Sequence, residues 1–322
     1  MATTSTVRRA RRWTRPSPSA GQGRVPPARV LAAFILPAFV LYGLFMVVPL
    51  VQALYFSLFE WRGTARGDFA GTANFVELFT RYPLNEQLPR AFLHNTYFFA
   101  GTMVLQNTFG LFLAVLLQRT RWGKTLFRTI YTLPYLFAPL VVGYLWSLIL
   151  NPTFGPVNAL LRGIGLESLA VPWLGDPSTA LPVVIVVNAW QWIGFPLLLF
   201  GAALGAIPDE LHEAAYVDGA GAWNTFFRIT LPLLVPVVGT VTVLTFIGNY
   251  NVFGLIWAMG GVEGGPAGST DVLGLLFYRT AFRGGVDAFG VASALAVLMF
   301  AFIFGLSLVF QRVFRRLEER LS

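Results

Sequence analysis

The chain has 322 residues, 56% of them hydrophobic and only 12% charged, and carries a formal net charge of +8. Soluble domains carry about a quarter charged residues, so half that share excludes a water-soluble globular enzyme, and 30 Phe with 9 Trp exclude a disordered chain. What is left is a polytopic membrane protein, and the placement of the charges tests it.

Six stretches hold no Asp, Glu, Lys or Arg: Val30–Phe59, Ala91–Gln118, Thr129–Leu161, Pro177–Pro208, Ile229–Val262 and Ala288–Gln311. Each exceeds the roughly 20 residues that cross a bilayer as a helix, which predicts an all-α membrane protein with six transmembrane helices. In chain order, residues 1–28 read as a disordered basic tail, with Pro16, Pro18, Pro26 and Pro27 opposing helix. Span one is about Val30–Phe59, with kinks expected at Pro37 and Pro49. It is too long for a signal-peptide core and lacks a small-x-small exit, so it reads as a retained span. A mixed segment, Glu60–His94, leads to span two at about Tyr97–Gln118. A short basic turn, Arg119–Arg128, precedes span three at about Thr129–Leu150. Span four covers about Leu181–Ala206, with Gly201 and Gly205 spaced for close helix packing. Span five covers about Leu231–Met259. A Gly-rich outside loop, Gly260–Gly285, whose Gly260–Pro266 part is expected to be flexible, leads to span six, Phe289–Val313. No internal repeat separates these elements, so residues 29–322 form one membrane domain.

The basic residues set the orientation. With the N-terminus cytoplasmic, the inside segments hold 16 of the 23 Lys and Arg and the outside segments hold 7. The excess places both termini inside, and the net charge is a topology signal rather than a nucleic-acid one. No nucleic-acid partner is expected.

Catalytic chemistry is poorly supported. The chain has no cysteine, and His94 and His212 stand far apart in sequence, so no thiol chemistry, metal site or cofactor is expected. Gly123-Lys124-Thr125 has the ending of a phosphate-binding loop, but Gln118 stands where its first glycine belongs, inside an apolar span.

The inside loop at about 207–231 is the most informative segment. Asp209 and Glu210 follow Pro208, which suits the first turn of a helix. Ala214 and Ala215 leave one face nearly bare, Gly219 permits a sharp turn, and Phe226, Phe227 and Ile229 are placed to anchor a second short helix before Pro232. The loop is acidic where the orientation rule prefers basic residues, which points to a docking element.

Glu213-Ala214-Ala215, three residues, Gly219, nine residues, Ile229, one residue and Leu231-Pro232 resembles, at every fixed position, the EAA loop of bacterial ABC import permeases. The likeness is to the type I fold and to its maltose/multiple-sugar branch, first-permease type. It extends through Asn95-Thr96, Arg128 with Leu133-Pro134, Gly155-Pro-Val-Asn158, Pro172-Trp-Leu-Gly-Asp176, Val187-Asn188-Ala-Trp190, Gly264-Gly-Pro266 with Thr270-Asp271, and Tyr278 with Ala281-Phe282. The basic tail and short outside segments differ from members with a large external domain. The resemblance implies a transport subunit, not an enzyme, in a bacterial cytoplasmic membrane. It implies a separate ABC ATPase dimer, a second homologous permease forming a heterodimer, an extracytoplasmic sugar-binding protein facing the Gly260–Pro266 loop, and a sugar substrate. By the same carry-over, Glu213, Ala214, Ala215 and Gly219, with Asp218, are the ATPase-coupling residues.

The spans hold neutral hydrogen-bonding and aromatic groups: Gln106, Asn107, Tyr135, Tyr144, Trp146, Asn188, Trp190, Gln191, Trp192, Asn249, Tyr250 and Asn251. Amides beside flat rings suit a neutral polyhydroxylated molecule. Membrane amides also join helices, and Trp and Tyr favour interfaces. The resemblance singles out Asn188, Trp190, Gln191, Asn249, Tyr250 and Asn251 for the substrate path. An ion-coupled secondary transporter or channel is the alternative, although it commonly needs an intramembrane acid or His that these spans lack.

Overall fold

The computed structural model describes residues 28–120, 122–285 and 287–321; the tail expected before them lies outside the described residues. The chain divides into two compact units, Met1–Leu50 and Val51–Ser322. In the first, Ala28–Tyr42 stays α-helical through Pro37 and passes into a π turn, Gly43–Val47. Val48–Phe56 is α-helical, and the helical residues Ala28–Phe56 are labelled α1. The π turn closes two residues before Pro49. A proline ring collides with the carbonyl four residues back, and a widened turn relieves the collision.

The second unit opens with an antiparallel hairpin, β1 (Phe59–Arg62) and β2 (Ala65–Phe69), the one sheet among the described residues and a departure from the all-α expectation. There follow α2 (Ala73–Thr80), α3 (Leu84–Arg119), α4 (Lys124–Leu136), α5 (Pro139–Ile149), α6 (Pro156–Gly163), α7 (Pro177–Trp192), α8 (Gly194–Gly205), α9 (Asp209–Val217), α10 (Ala222–Tyr250), α11 (Gly254–Gly260), α12 (Leu273–Arg283) and α13 (Ala288–Leu321). Four helices are long and apolar enough to cross a membrane, α1, α3, α10 and α13, or six if the pairs α4–α5 and α7–α8 each count as one broken span.

The expected spans are corrected in four places, span four among them, since α7 and α8 meet at 44° rather than forming one straight helix. Span two starts a dozen residues earlier, because α3 runs helically through Pro89 from Leu84. Span three is not straight: α4 and α5 meet at 98°. Phe137 and Ala138 are extended, as a residue preceding a proline tends to be, and Pro139 then starts α5. Span five ends at Tyr250, and α11 is a separate short helix.

Lipid tails are as apolar as Leu, so close packing and interhelical hydrogen bonds, rather than burial alone, fix these helices. At Gly143 of α5 a Cβ would lie 2.7 Å from Ala258 Cβ and 2.8 Å from the Leu255 carbonyl, so only glycine lets α5 and α11 come this close. The close packing expected at Gly201 and Gly205 is found elsewhere: Gly201 faces open space, and α3 meets α8 at Gly110, against Pro196. A cavity of about 170 Å³ lined by Gln118, Lys124 and Arg128 lies beside the two α8 glycines.

Polar links join segments distant in sequence. Asn158 donates to the Val171 carbonyl at 3.0 Å and accepts from Trp173 Nε1 at 2.7 Å, tying α6 to the strap before α7. Asp176 then caps α7, accepting from the Ser178 N–H and hydroxyl, and these donors hold its carboxyl below the usual carboxylate range.

Candidate functional site

The acidic loop forms an elbow. Pro208 leads into α9, with Asp209 and Glu210 in its first turn. The helix ends in a Schellman motif: the Gly219 N–H donates to the Tyr216 carbonyl at 3.0 Å, and the Ala220 N–H donates to the Ala215 carbonyl at 2.9 Å. This closure needs a left-handed residue, and Gly219 supplies it with φ +75°. Glu213, Ala214, Asp218 and Gly219 are exposed, whereas Ala215 is buried. The bare face is therefore that of Ala214 alone, and it continues into the exposed Tyr216 and Val217. Trp223 and Phe227, also exposed, stack with ring centroids 5.7 Å apart.

No second short helix follows the elbow. Residues from Ala222 to Tyr250 form one continuous helix, α10, crossing a π turn at Phe226–Thr230 that again closes two residues before a proline, Pro232. The elbow leads through the turn at Gly219–Gly221 into a membrane helix whose far end carries Asn249.

That far end lines a cavity of about 440 Å³. Its polar groups come from three helices: Gln106 of α3, Asn188 of α7, and Thr245, Asn249 and Asn251 at the end of α10; Trp192, Phe195 and Phe253 supply aromatic faces. Among the described residues the lining contains no charged group. Asn249 lines the cavity, and its Nδ2 is buried without a hydrogen-bond partner among the described residues.

Of the residues singled out, Asn188, Asn249 and Asn251 line this cavity, and Trp190, Gln191 and Tyr250 do not. Trp190 packs edge-on against Trp146 at 5.4 Å. Gln191 is fully buried and donates to the Phe137 carbonyl at 3.0 Å, holding the bend between α4 and α5. The Tyr250 hydroxyl pairs with Thr96 Oγ1 at 2.9 Å. The sequence reading missed Thr245, Gly248, Phe195 and Phe253. Thr245, Gly248, Asn249 and Val252 follow the i, i+3, i+4, i+7 spacing of one helical face, the signal that would have found the first two.

The Gly-rich segment, expected to be flexible, is folded on itself. The Thr270 N–H donates to the Gly264 carbonyl at 2.7 Å. Arg279 of α12 donates to the Val262 carbonyl at 2.9 Å and makes a two-point pair with the buried Asp271 carboxylate at 2.9 and 2.6 Å. His94 Nδ1 donates to the Asp271 carbonyl at 2.7 Å.

Comparisons with known proteins follow this geometry. Residues 106–322 match the family model for the binding-protein-dependent transport system inner membrane component. The probable ABC transporter permease protein YurN of Bacillus subtilis (strain 168) is 36% identical over 289 residues, covering 89% of this chain and 96% of YurN. The maltose/maltodextrin transport system permease protein MalF of Escherichia coli (strain K12) is 34% identical over 249 residues, covering 74% of this chain but only 48% of MalF. The chain therefore spans about half the length of MalF. The crystal structure of a bacterial ABC transporter involved in the import of the acidic polysaccharide alginate includes a chain that superposes with a TM-score of 0.77 at 25% identity, covering 89% of this chain and 96% of that one.

Proposed function

We infer the role of this chain from the family it belongs to, the binding-protein-dependent transport system inner membrane components. It is a permease subunit of an ABC importer, a transport component rather than an enzyme, and ATP is hydrolysed on a separate subunit. Our proposals concern what its residues do. The α9 elbow docks on the ATPase through Glu213, Ala214, Asp218 and Gly219, and Ala215 anchors it from beneath. The observation that carries this is the helix from Ala222 to Tyr250, which runs from the turn after the elbow to the cavity wall, so a displacement passed on through Gly219–Gly221 reaches that wall along one helix. Nucleotide-driven closure of the ATPase then shifts the balance between inward- and outward-facing states through the docked elbow. The positive-inside excess supports a cytoplasmic elbow and cytoplasmic termini in the inner membrane.

For the substrate we propose a neutral sugar. Amide donors and acceptors beside Trp192, Phe195 and Phe253 match hydroxyls and flat sugar faces. A charged solute would find no counter-ion on this wall. The alginate importer carries an acidic polysaccharide, so the uncharged lining is a point on which the two can be separated. Reconstituting the chain with its ATPase, second permease and binding protein, and measuring uptake of radiolabelled maltose against an alginate oligosaccharide, tests the reading. ATP-dependent uptake of maltose with exclusion of alginate supports it; the reverse preference overturns the neutral-sugar assignment.

A further inference from the structure

The π turn at Met103–Asn107 differs from the other two, because no proline follows it. Successive residues in a π turn diverge by about 80°, against about 100° in an α-helix, so two neighbouring side chains come closer together. Here those neighbours are Gln106 and Asn107, both buried although they sit mid-span. Gln106 Nε2 donates to Asn107 Oδ1 at 3.2 Å, and Asn107 Nδ2 donates across the helix interface to Thr245 Oγ1 of α10 at 3.1 Å. Gln106 also lines the cavity that holds Asn188 and Asn249. One N–H of its amide is committed to Asn107, and its carbonyl oxygen Oε1 has no partner among the described residues. Asn249 lines the same cavity.

We propose that Gln106 is a specificity-determining residue of the transport path, presenting Oε1 as an acceptor to a substrate hydroxyl in the cavity that Asn249 also lines. Asn107 and Thr245 are positioning residues: they orient the Gln106 amide and tie it to α10, so the acceptor follows the helix that the elbow drives. An acceptor on the wall suits a molecule that carries hydroxyls, and a solute with none leaves the Gln106 carbonyl unpaired. This inference rests on the sugar reading above.

The chain has no native thiol, which makes the test direct. Gln106→Cys and Asn249→Cys, each in the full transporter assembled with its partners, are labelled by a small methanethiosulfonate reagent, with modification read on this chain by mass. A panel of maltose, cellobiose, xylobiose and raffinose serves as protectants. The expected result is that both positions label, and that one panel sugar slows labelling of both at least 10-fold. In uptake of that sugar, Gln106→Leu raises KM about 10-fold, and Gln106→Glu, which keeps an acceptor, retains more of the affinity. A sugar that protects Asn249→Cys but not Gln106→Cys, or a Gln106→Leu transporter with unchanged KM, overturns the role of Gln106 and leaves the sugar reading standing. If no sugar protects either position, the sugar reading fails and this inference fails with it.

Discussion

Asn95 Nδ2 donates to the main-chain carbonyl of Asn249 at 2.8 Å, while its Oδ1 accepts from the Leu273 N–H at 2.8 Å. One fully buried side chain thus closes the end of α10 and the start of α12 together. Asn95→Leu keeps the branched shape, adds some bulk, and strands a carbonyl and an N–H. Each buried group left unmet costs about 1–3 kcal/mol, so a clear fall in the unfolding temperature in detergent is expected, together with loss of uptake. An unchanged unfolding temperature would show that the link carries no stability.

A second prediction concerns the folded Gly-rich segment. Asp271 is buried and paired at two points by Arg279. Arg279→Met leaves that carboxylate alone in the interior, at a cost of about 3–5 kcal/mol. Removing both charges, as Asp271→Leu with Arg279→Met, is expected to restore most of the loss, because an apolar pair of similar volume replaces a desolvated one. Thermal unfolding of the single and double variants measures the difference.

The elbow yields a prediction that separates backbone from contact. Gly219 sits at φ +75°, where a β-branched residue is strained by about 1–2 kcal/mol and asparagine is tolerated. Gly219→Val is expected to abolish ATP-driven uptake with the protein still inserted, whereas Gly219→Asn retains a substantial part of it. Ala214→Arg, on the exposed face, should also abolish coupling without disturbing the Schellman closure. Uptake in vesicles with matched protein levels checks all three.

Filling the cavity probes the transport path. A side chain built at Gly248 meets nothing within 4 Å, because it enters open space on a cavity-lining face of α10. Gly248→Leu is therefore expected to preserve folding and assembly while cutting sugar uptake at least 10-fold. Normal uptake would place the substrate elsewhere.

Much of this was legible in the sequence, for identifiable reasons. Charge-free length marks membrane segments, and the Pro208, Asp209, Glu210 and Gly219 punctuation marks α9 because each acts locally. Length alone gives no direction, so the 98° bend after Leu136 stayed hidden, although Pro139 was in plain view. The bond that holds that bend, from Gln191 to Phe137, joins residues 54 apart. Gln191 therefore reads as a polar group free for substrate until the partner carbonyl is seen. The same holds for Tyr250, whose hydroxyl belongs to Thr96. Asn188 and Asn249, both on the cavity wall, were singled out through the resemblance of the stretches around them, because residue type alone does not separate them from Gln191 and Tyr250.

The most direct test of the account is a crosslink. Ala214→Cys places a single thiol on the exposed face of α9 in a chain that has no other. With the transporter assembled and importing, a short thiol-directed photo-crosslinker on that residue should capture the ATPase subunit, at an efficiency that changes between the nucleotide-free and ATP-bound states. Failure to capture the ATPase in any nucleotide state, in an assembly that still imports, would contradict the claim that the elbow transmits ATPase closure to the membrane path.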